Sequence, residues 1–591
     1  MKILGLSFFY HDAAAALLED GIPIALAEEE RFSRKKHDFN YPENAINFVL
    51  EAGKIKPQDL DYVVFYEKPF IKFERIIKTL LATWPSSAFA FTDSFKSWMV
   101  DKLWIRELIA RKLKINPKKI LFCEHHLSHA ASTFFCSPFE KSAILTIDGI
   151  GEWATTTIGI GEGNKLKILK EIHFPHSVGL LYSTFTAFLG FEINEGEYKV
   201  MGMAPYGKPI FLDKVKKLVK LYDDGSFELN LDYFDFHRSN SRSYSKEFLK
   251  LFGKPRAPDS KFFTRESGWL TYFGKKPDNW EELAKEQEYY AHIAASIQKL
   301  TEEIIINLAQ AAYKETGIDK LSYAGGVALN SVANYKILKE TPFKEIFIQP
   351  AASDAGGALG AALYLYYALL NNQRKFVLEH AFYGKSYSES EIEDFLKKKN
   401  IKYKKFSDEE ALLDYTVDKL LKQKVIGWFQ GRFEWGPRAL GNRSILADPR
   451  NEKMKDIVNI KIKFREPYRP FAPSVLVEKA DKFFELPEPE KQYPARFMLY
   501  VVNVKEEKRH IVPAITHVDG TARPQTVFKE TNQRYWKLIK KFEESCGIPL
   551  LLNTSFNLKG EPIVNSPSDA FNTFIKSGLD VLVLENVCIE K

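Results

Sequence analysis

Ser142-Ala143-Ile144-Leu145-Thr146-Ile147-Asp148-Gly149-Ile150-Gly151-Glu152 is an uncharged apolar run closed by an acid and two glycines. Residues 142–147 predict a strand buried on both faces. Asp148 then stands at the carboxyl end of that strand beside flexible backbone, where α/β sheets place metal and phosphate contacts. Residues 155–160 supply the return strand. The same order occurs at the start of the chain. Residues 2–9 predict a buried strand, Asp12 follows it, residues 13–18 and 22–27 predict the next two, and Asp20-Gly21 is a hairpin turn signal.

A strand–acid–strand unit present twice resembles the outline of the actin/hexokinase/Hsp70 superfamily, a ribonuclease-H-like core in two copies. The predicted fold class is therefore α/β, with an actin-like ATPase unit over residues 1–375. A break at Asn371-Asn372-Gln373-Arg374-Lys375 starts a second α/β domain over residues 376–591.

Between the two acid-bearing strands lies Cys123-Glu124-His125-His126-Leu127-Ser128-His129-Ala130, with three of the twelve histidines in five positions. The strand predicted at 120–123 leads straight into it. On a helix His125 and His129 share a face and His126 does not. Such a pair is either two hydrogen-bonded histidines or two ligands of one metal ion. Asp148 and Asp354 are acids of suitable type in suitable loops to complete a metal site. His126 is expected to be structural, and no His-Glu-x-x-His protease pattern exists.

His11 lies in the turn Tyr10-His11-Asp12-Ala13, where turn backbone and imidazole would face a bound phosphate. The charge run 28–36 reads as a solvated face, with a basic end at Arg34-Lys35-Lys36-His37 that can also meet an anion. Helices are expected over 43–54, 71–115 and 280–316. Residues 194–207 read as loop and 224–281 as an insertion. Its Tyr233, Phe234, Phe236, Arg238, Arg242, Phe262, Trp269 and Tyr272 would suit a sugar or acidic glycan, or equally a stable surface. Leu321 to Asn330 reads as strand, glycine turn and helix start, and Gly325-Gly326 allows close approach of a nucleotide to a helix N-terminus.

The second half carries basic residues in loops shaped by glycine and proline. Arg432, Arg438 and Arg443 lie in one such loop, Lys461, Lys463, Arg465 and Arg469 in the next, and Arg523 further on. Guanidinium forks match phosphate and carboxylate oxygens, which points to a rigid anion pocket.

Bulk composition excludes several classes. Hydrophobic content of 45% and charged content of 27% over 591 residues are those of an ordinary globular enzyme of two or more domains. A net charge of +7 without a basic stripe speaks against nucleic acid. No signal peptide and no apolar run of spanning length are read, so no membrane partner is expected. Four scattered cysteines fit inert thiols in a reducing cytoplasm. There is no P-loop, no Rossmann fingerprint, no Gly-x-Ser-x-Gly elbow and no solenoid repeat.

The ordered motifs resemble O-carbamoyltransferases of the NodU/TobZ/CmcH family along nearly the whole chain. The resemblance rests on Phe9 to Ala16, Ala27 to His37, the His125/His129 stretch, Met201 to Gly207 and Gly325 to Asn330. In the second half it rests on Trp435 to Arg443, Tyr468 to Pro473, His517 to Arg523 and Asn553 to Asn557. It implies an actin-like domain similar to threonylcarbamoyl-transfer proteins, followed by a YrdC-like domain. The YrdC-like domain would make carbamoyl-adenylate from carbamoyl phosphate and ATP. The first domain would pass the carbamoyl group to a hydroxyl of a sugar-like or secondary-metabolite acceptor.

By matching motifs, His125, His129, Asp148 and Asp354 resemble the ligands of a divalent metal, iron(II) first, with manganese(II) or zinc(II) as alternatives, that holds the adenylate. His11 resembles the residue beside the acceptor hydroxyl, a general base. Lys36, Gly325, Gly326, Asn330 and Arg523 resemble nucleotide contacts. Arg438, Lys463, Arg469, Asn553 and Ser555 resemble the carbamoyl phosphate site, with Lys461 as the alternative register for Lys463. ATP with Mg2+ is the implied co-substrate, and a homodimer is left open. The competing readings are a nucleotide-binding regulatory protein that performs no transfer and a tRNA-modification enzyme.

Overall fold

The computed structural model describes residues 1–258, 260–269, 273–466 and 468–591. Tyr272 of the insertion thus lies outside the described residues. The chain forms two units, one of Met1–Ala25 and Phe39–Val377, the other of Leu26–Asp38 and Leu378–Lys591.

The first unit is built on two five-stranded sheets. Strands β1 (Lys2–Ser7), β2 (Ala14–Glu19), β3 (Ile22–Glu28), β4 (Tyr62–Phe65) and β5 (Ile120–Phe122) assemble in the order β3-β2-β1-β4-β5. Strands β6 (Lys141–Ile147), β7 (Ala154–Glu162) and β8 (Lys165–His173) precede the small β9 (Val219–Leu221)/β10 (Phe227–Leu229) ribbon. With β11 (Lys320–Ala324) and β12 (Glu345–Phe347), the first three form a sheet of order β12-β11-β6-β7-β8. In each sheet the first strand pairs antiparallel with the second and parallel with the fourth. The two sheets therefore share one topology, and the unit is a duplicated ribonuclease-H-like, actin-like ATPase fold, as the repeated strand–acid pattern predicts.

The helix Asp354–Leu363 joins the parts. All ten of its residues are buried, and it packs against β1, β2 and the helix His125–Phe134. Both approaches depend on glycine. A Cβ on Gly5 of β1 would lie 1.9 Å from the Ala358 carbonyl oxygen, and one on Gly360 would lie 1.8 Å from that of Ser128. Small residues on both helices let the backbones meet, and this sets the starts of the two helices side by side.

The long helix Trp280–Thr316 forms as expected and ends at Gly317, whose φ of 67° is the left-handed conformation of a helix stop. Other expectations need correction. The 71–115 region is broken into Pro69–Ala82, Ala88–Ser97, a π-helical turn at Trp98–Lys102, and Ile105–Leu113. Residues 194–207 are not simply loop, because Glu197–Met203 is helical and buries Val200 and Met203.

The second unit holds an eight-stranded mixed sheet. Its strands are β13 (Lys404–Lys405), β14 (Ile426–Phe429), β15 (Arg443–Ala447), β16 (Ala472–Leu476), β19 (Gln525–Val527), β20 (Leu550–Ser555), β21 (Val581–Leu584) and β22 (Val587–Glu590), with β17 (Val502–Asn503) and β18 (Thr521–Ala522) forming a separate pair. The order β13-β22-β21-β14-β15-β20-β16-β19 mixes parallel and antiparallel neighbours. Amphipathic helices Gln533–Cys546 and Pro567–Lys576 pack against it.

This unit also claims residues 26–38, which corrects the continuous 1–375 domain and the solvated charge run. Arg31 is 1% exposed and donates to the carbonyls of Glu434 and Gly436, while buried Glu28 accepts from the Gly436 N–H. Arg34 donates to the carbonyls of Pro562 and Ile563. These charges meet backbone and side chains far along the chain, Arg34 also facing Asp569, so local charge density gave the wrong exposure.

Gly360→Ala tests the helix contact. In an ordinary helix the change stabilises by up to about 1 kcal/mol. Here it is expected to destabilise by about 1–3 kcal/mol through overpacking, read as a lowered midpoint of thermal unfolding.

Candidate active site

The four acids and histidines meet in the first unit. His125 and His129 lie on the first turns of their helix with their Nε2 atoms 3.1 Å apart. Asp148, just beyond β6, places Oδ2 at 2.8 Å from His125 Nε2 and 3.1 Å from His129 Nε2. Asp354, at the start of its helix, sets Oδ1 3.7 Å from both. All four residues are buried.

Neighbours orient each donor. Asp148 Oδ1 accepts the Gly326 N–H at 3.0 Å, and Tyr66 donates to Asp354 Oδ2 at 3.3 Å. The His125 N–H donates to both Glu152 oxygens at 3.1 Å, which puts a carboxylate on the helix N-terminus. His126 is structural: Nδ1 meets Thr146 Oγ1 at 2.6 Å and Nε2 the Ala154 carbonyl at 2.9 Å.

The electrostatics call for a cation. Burial alone disfavours ionised Asp148, but the two imidazoles outweigh it and hold its carboxyl well below the usual carboxylate range. Burial likewise works against charged His129, and Asp148 with Asp354 overcome it, raising the imidazole to about 9. Two buried carboxylates thus draw positive charge to the point where two Nε2 atoms converge. The Nδ1 atoms of His125 and His129 are buried without a hydrogen-bond partner, and Glu67 Oε2 lies 3.9 Å from that of His125. Two imidazole nitrogens and two carboxylate oxygens fit a divalent transition metal, and a carboxylate behind a ligand imidazole is usual in such sites.

His11 departs from its expected state. Its Nδ1 faces Asp12 Oδ2 at 2.8 Å and its Nε2 faces the Asn194 carbonyl at 3.0 Å. Both oxygens only accept, so both nitrogens carry protons. Burial would lower this pKa, but the Asp12 carboxylate outweighs it and raises it to about 10. A general base has to lose the Nε2 proton first. Ser353 Oγ, 3.4 Å from Asp12 Oδ2, links this pair to the residue before Asp354.

In the second unit the predicted anion-binding residues gather where loops leave the sheet. Lys463 is 2% exposed, and its Nζ donates to Ser555 Oγ and the Asn557 carbonyl, both at 3.1 Å. Lys461, the alternative register, is exposed. Burial first, then Arg465 and Arg469, push the Lys463 amine well below its usual range, and Lys36 adds to this. Arg523 is pushed the same way by burial and by Arg438, Arg465 and Arg469, and its Nε is buried without a hydrogen-bond partner. A bound anion would relieve the mutual repulsion of cations held together in this way.

The other two loop arginines are structural. Arg443 is fully buried, donates to the carbonyls of Lys385, Gln430, Gly431 and Asn442, and stacks on Phe429. Arg432 donates to the carbonyls of Tyr383 and Gly384. Arg465 is the cation that motif reading left out, although it lies inside the same basic loop.

The expected nucleotide residues are divided. Lys36 and Arg523 belong to the second unit; Gly325, Gly326 and Asn330 belong to the first. Gly325 has φ 96°, and a Cβ there would lie 2.2 Å from the Ile147 carbonyl oxygen, so the turn requires glycine. Asn330 instead caps the helix Ser331–Glu340 and pairs with Gln298. Asn553 donates to the Ala439 carbonyl at 3.2 Å and to Ser474 Oγ at 2.9 Å, so it positions the backbone beside Arg438. Glu434, also absent from the motif reading, accepts the N–H groups of Leu440, Asn442 and Arg443 and shapes that loop.

An actin-like unit with a buried cation-seeking centre, and an α/β unit with a cationic pocket, together define a transferase that handles an anionic donor. The chain belongs to the carbamoyltransferase family: the family's N-terminal model, carbamoyltransferase N-terminus, matches residues 2–363, and carbamoyltransferase C-terminus matches residues 417–591. It is 44% identical to the uncharacterized protein sll1178 of Synechocystis sp., over 100% of this chain and 96% of that protein. It is 39% identical to the nodulation protein NolNO of Sinorhizobium fredii, over 99% of this chain and 79% of that protein. With the 3'-hydroxymethylcephem-O-carbamoyltransferase of Streptomyces clavuligerus it shares 34% identity over 47% of this chain and 50% of that enzyme.

Two measurements test the geometry. His129→Ala is expected to lower affinity for Mn2+ or Zn2+ at least tenfold in titration calorimetry, about the loss typical of weakening a metal site. In NMR of ring-labelled histidine, His11 is expected to stay protonated from pH 6 to about 9. Asp12→Asn removes the opposing charge, and the midpoint should fall below 7.5, about the range of an unpaired imidazole.

Proposed function

We propose that the two units divide an O-carbamoyl transfer, with residues 376–591 and the 26–38 excursion activating the carbamoyl group and the actin-like unit delivering it. The cationic cluster of Arg438, Lys463, Arg465, Arg469 and Arg523 carries this reading. Carbamoyl phosphate and ATP are both polyanions, and bound phosphate oxygens relieve the repulsion among these side chains. One water hydrolyses carbamoyl phosphate to carbamate and inorganic phosphate, and the carbamate oxygen then attacks the α-phosphorus of ATP. Pyrophosphate departs, and the product is carbamoyl-adenylate. Enclosure protects this mixed anhydride from water.

In the first unit His125, His129, Asp148 and Asp354 would hold a divalent ion, iron(II) by family likeness, with manganese(II) or zinc(II) equally suited to the donors. When bound, such an ion supplies charge neutralisation and Lewis acidity toward phosphoryl or carbonyl oxygen. Gly325 and Gly326 let nucleotide approach the backbone closely.

The acceptor oxygen attacks the carbamoyl carbon, AMP leaves, and the acceptor proton passes to the His11–Asp12 pair. His11 does this once its Nε2 proton has been given up, and Asp12 keeps the ring oriented through Nδ1. The acceptor is a hydroxyl of a sugar-like or secondary-metabolite molecule, in keeping with the relatives named for nodulation and cephem chemistry. Mg2+ accompanies ATP, and the four free cysteines suit a reducing cytoplasm.

The protein incubated with labelled carbamoyl phosphate, ATP and divalent metal is expected to release AMP and pyrophosphate. Arg438→Ala and Lys463→Ala should each slow pyrophosphate release about 100-fold, the usual effect of losing one charge-stabilising donor. His129→Ala should keep pyrophosphate release and lose carbamoylation of hydroxylated sugars. Absence of pyrophosphate release from the parent protein would overturn the activation step, leaving a nucleotide-binding regulator.

A further inference from the structure

The connection from β4 to β5, residues 66–119, is where this fold exposes its apolar side chains. Of the eighteen large hydrophobic residues exposed among the described residues, eight fall between Phe70 and Trp104. Phe89 is 85% exposed, Val100 70% and Phe70 65%, and Trp84, Leu81 and Trp104 are each at least half exposed. Their helices are not loose. Phe73 stacks on Trp98 at 5.8 Å and Phe91 on Phe95 at 6.0 Å, so an aromatic layer fixes the helices beneath the exposed side chains. An apolar patch rimmed by polar residues marks an interaction surface.

The charge of the same segment says what the surface meets. Residues 66–119 hold twelve lysines and arginines against five acids, a net +7, equal to the formal net charge of the entire chain. The remaining residues balance to zero. Lys96, Arg106, Arg111, Lys114 and Lys118 are exposed. Tryptophan and phenylalanine beside lysine and arginine, on short helices, are the composition of segments that lie in the headgroup layer of an anionic bilayer. Setting aside the buried Glu67, Lys72 and Arg75, ten cations face four acids, so a second copy of the chain would set a positive surface against a positive one.

We propose that residues 66–119 form a peripheral docking surface for an anionic phospholipid membrane. No helix among the described residues is long and apolar enough to cross a bilayer, so the arm lies on the surface. The expectation of no membrane partner rested on the lack of a signal peptide and of a spanning run, and neither bears on docking at the surface. The inner side of the arm faces the candidate active site. Lys72 Nζ sits 4.3 Å above the Tyr10 ring, next to His11, and pairs with Glu67, the carboxylate behind His125. Docking through the outer side would therefore bring the transfer site close to the lipid surface.

The full chain is sedimented with phosphatidylcholine vesicles containing about one-third phosphatidylserine, where added salt should weaken binding by screening. Trp84→Ser, Phe89→Ser and Val100→Ser combined should reduce the bound fraction about tenfold, because apolar insertion drives the partition. Lys96→Gln, Arg111→Gln and Lys118→Gln combined should reduce it on the anionic vesicles and not on pure phosphatidylcholine. An unchanged melting temperature confirms that both variants are folded, since every altered side chain is exposed. Three results would overturn the proposal: no sedimentation of the parent protein, equal sedimentation of parent and apolar variant, or a parent dimer that the apolar variant dissolves while vesicles bind neither.

Discussion

Gly360 lies against the Ser128 carbonyl at a distance no Cβ could occupy, and the candidate metal centre depends on that contact. The helix Asp354–Leu363 is pressed between β1 and the histidine helix, with Gly5 making room on one side and Gly360 on the other. Three glycines in ten residues carry an intrinsic cost of about 1 kcal/mol each relative to alanine. Complete burial of the helix offsets it. The return is positional. Asp354 starts one helix and His125 starts the other, so bringing the backbones together brings the donors together. Asp148 then arrives from the end of β6, its second oxygen held by the Gly326 N–H.

The two units solve opposite electrostatic problems with the same means. In the first, buried carboxylates face imidazoles and draw a cation to them. In the second, cations lie close to one another, and burial together with their mutual repulsion pushes Lys463 and Arg523 below their usual range. In both, like charges are brought close together, and neighbouring residues hold the surrounding backbone in place. Arg443, with four carbonyl partners, and Glu434, with three N–H groups, lie within the same loop as Arg438 and contribute rigidity.

Locality decides what could be read from the sequence. Strand positions, their terminal acids and the i,i+4 histidines are local patterns, and the duplicated sheet and four-residue cluster follow from them. Pairing across hundreds of residues leaves no local pattern. The run at 28–36 looks solvated because Arg31 finds its acceptors at Glu434 and Gly436. Asn330 and Asn553 sit in motifs that suggest ligand contact, yet their amides hold Gln298 and Ala439. Arg465 is indistinguishable by composition from Lys461, and only burial separates the cation in the pocket from the one in solvent. His11 is a candidate from its turn, and Asp12 beside it accounts for most of its raised pKa, but its Nε2 partner, the Asn194 carbonyl, lies 183 residues away and leaves no local signal.

The arm between β4 and β5 shows how one segment can serve the site and the surroundings at once. Its inner residues, Glu67, Lys72 and Arg75, are buried and charged. Glu67 stands behind His125, Lys72 pairs with it, and Arg75 lies over the Phe174 ring at 5.0 Å. Such groups constrain the inner face tightly, since an unpaired buried charge is costly. The outer face has no comparable burial of charge, and its phenylalanine and tryptophan side chains leave much of their apolar area in solvent, Phe89 most of all. Their persistence in helices otherwise built to support a polar site is physically accounted for by a partner that takes up the apolar area. The positive charge distributed among them selects a partner of opposite sign.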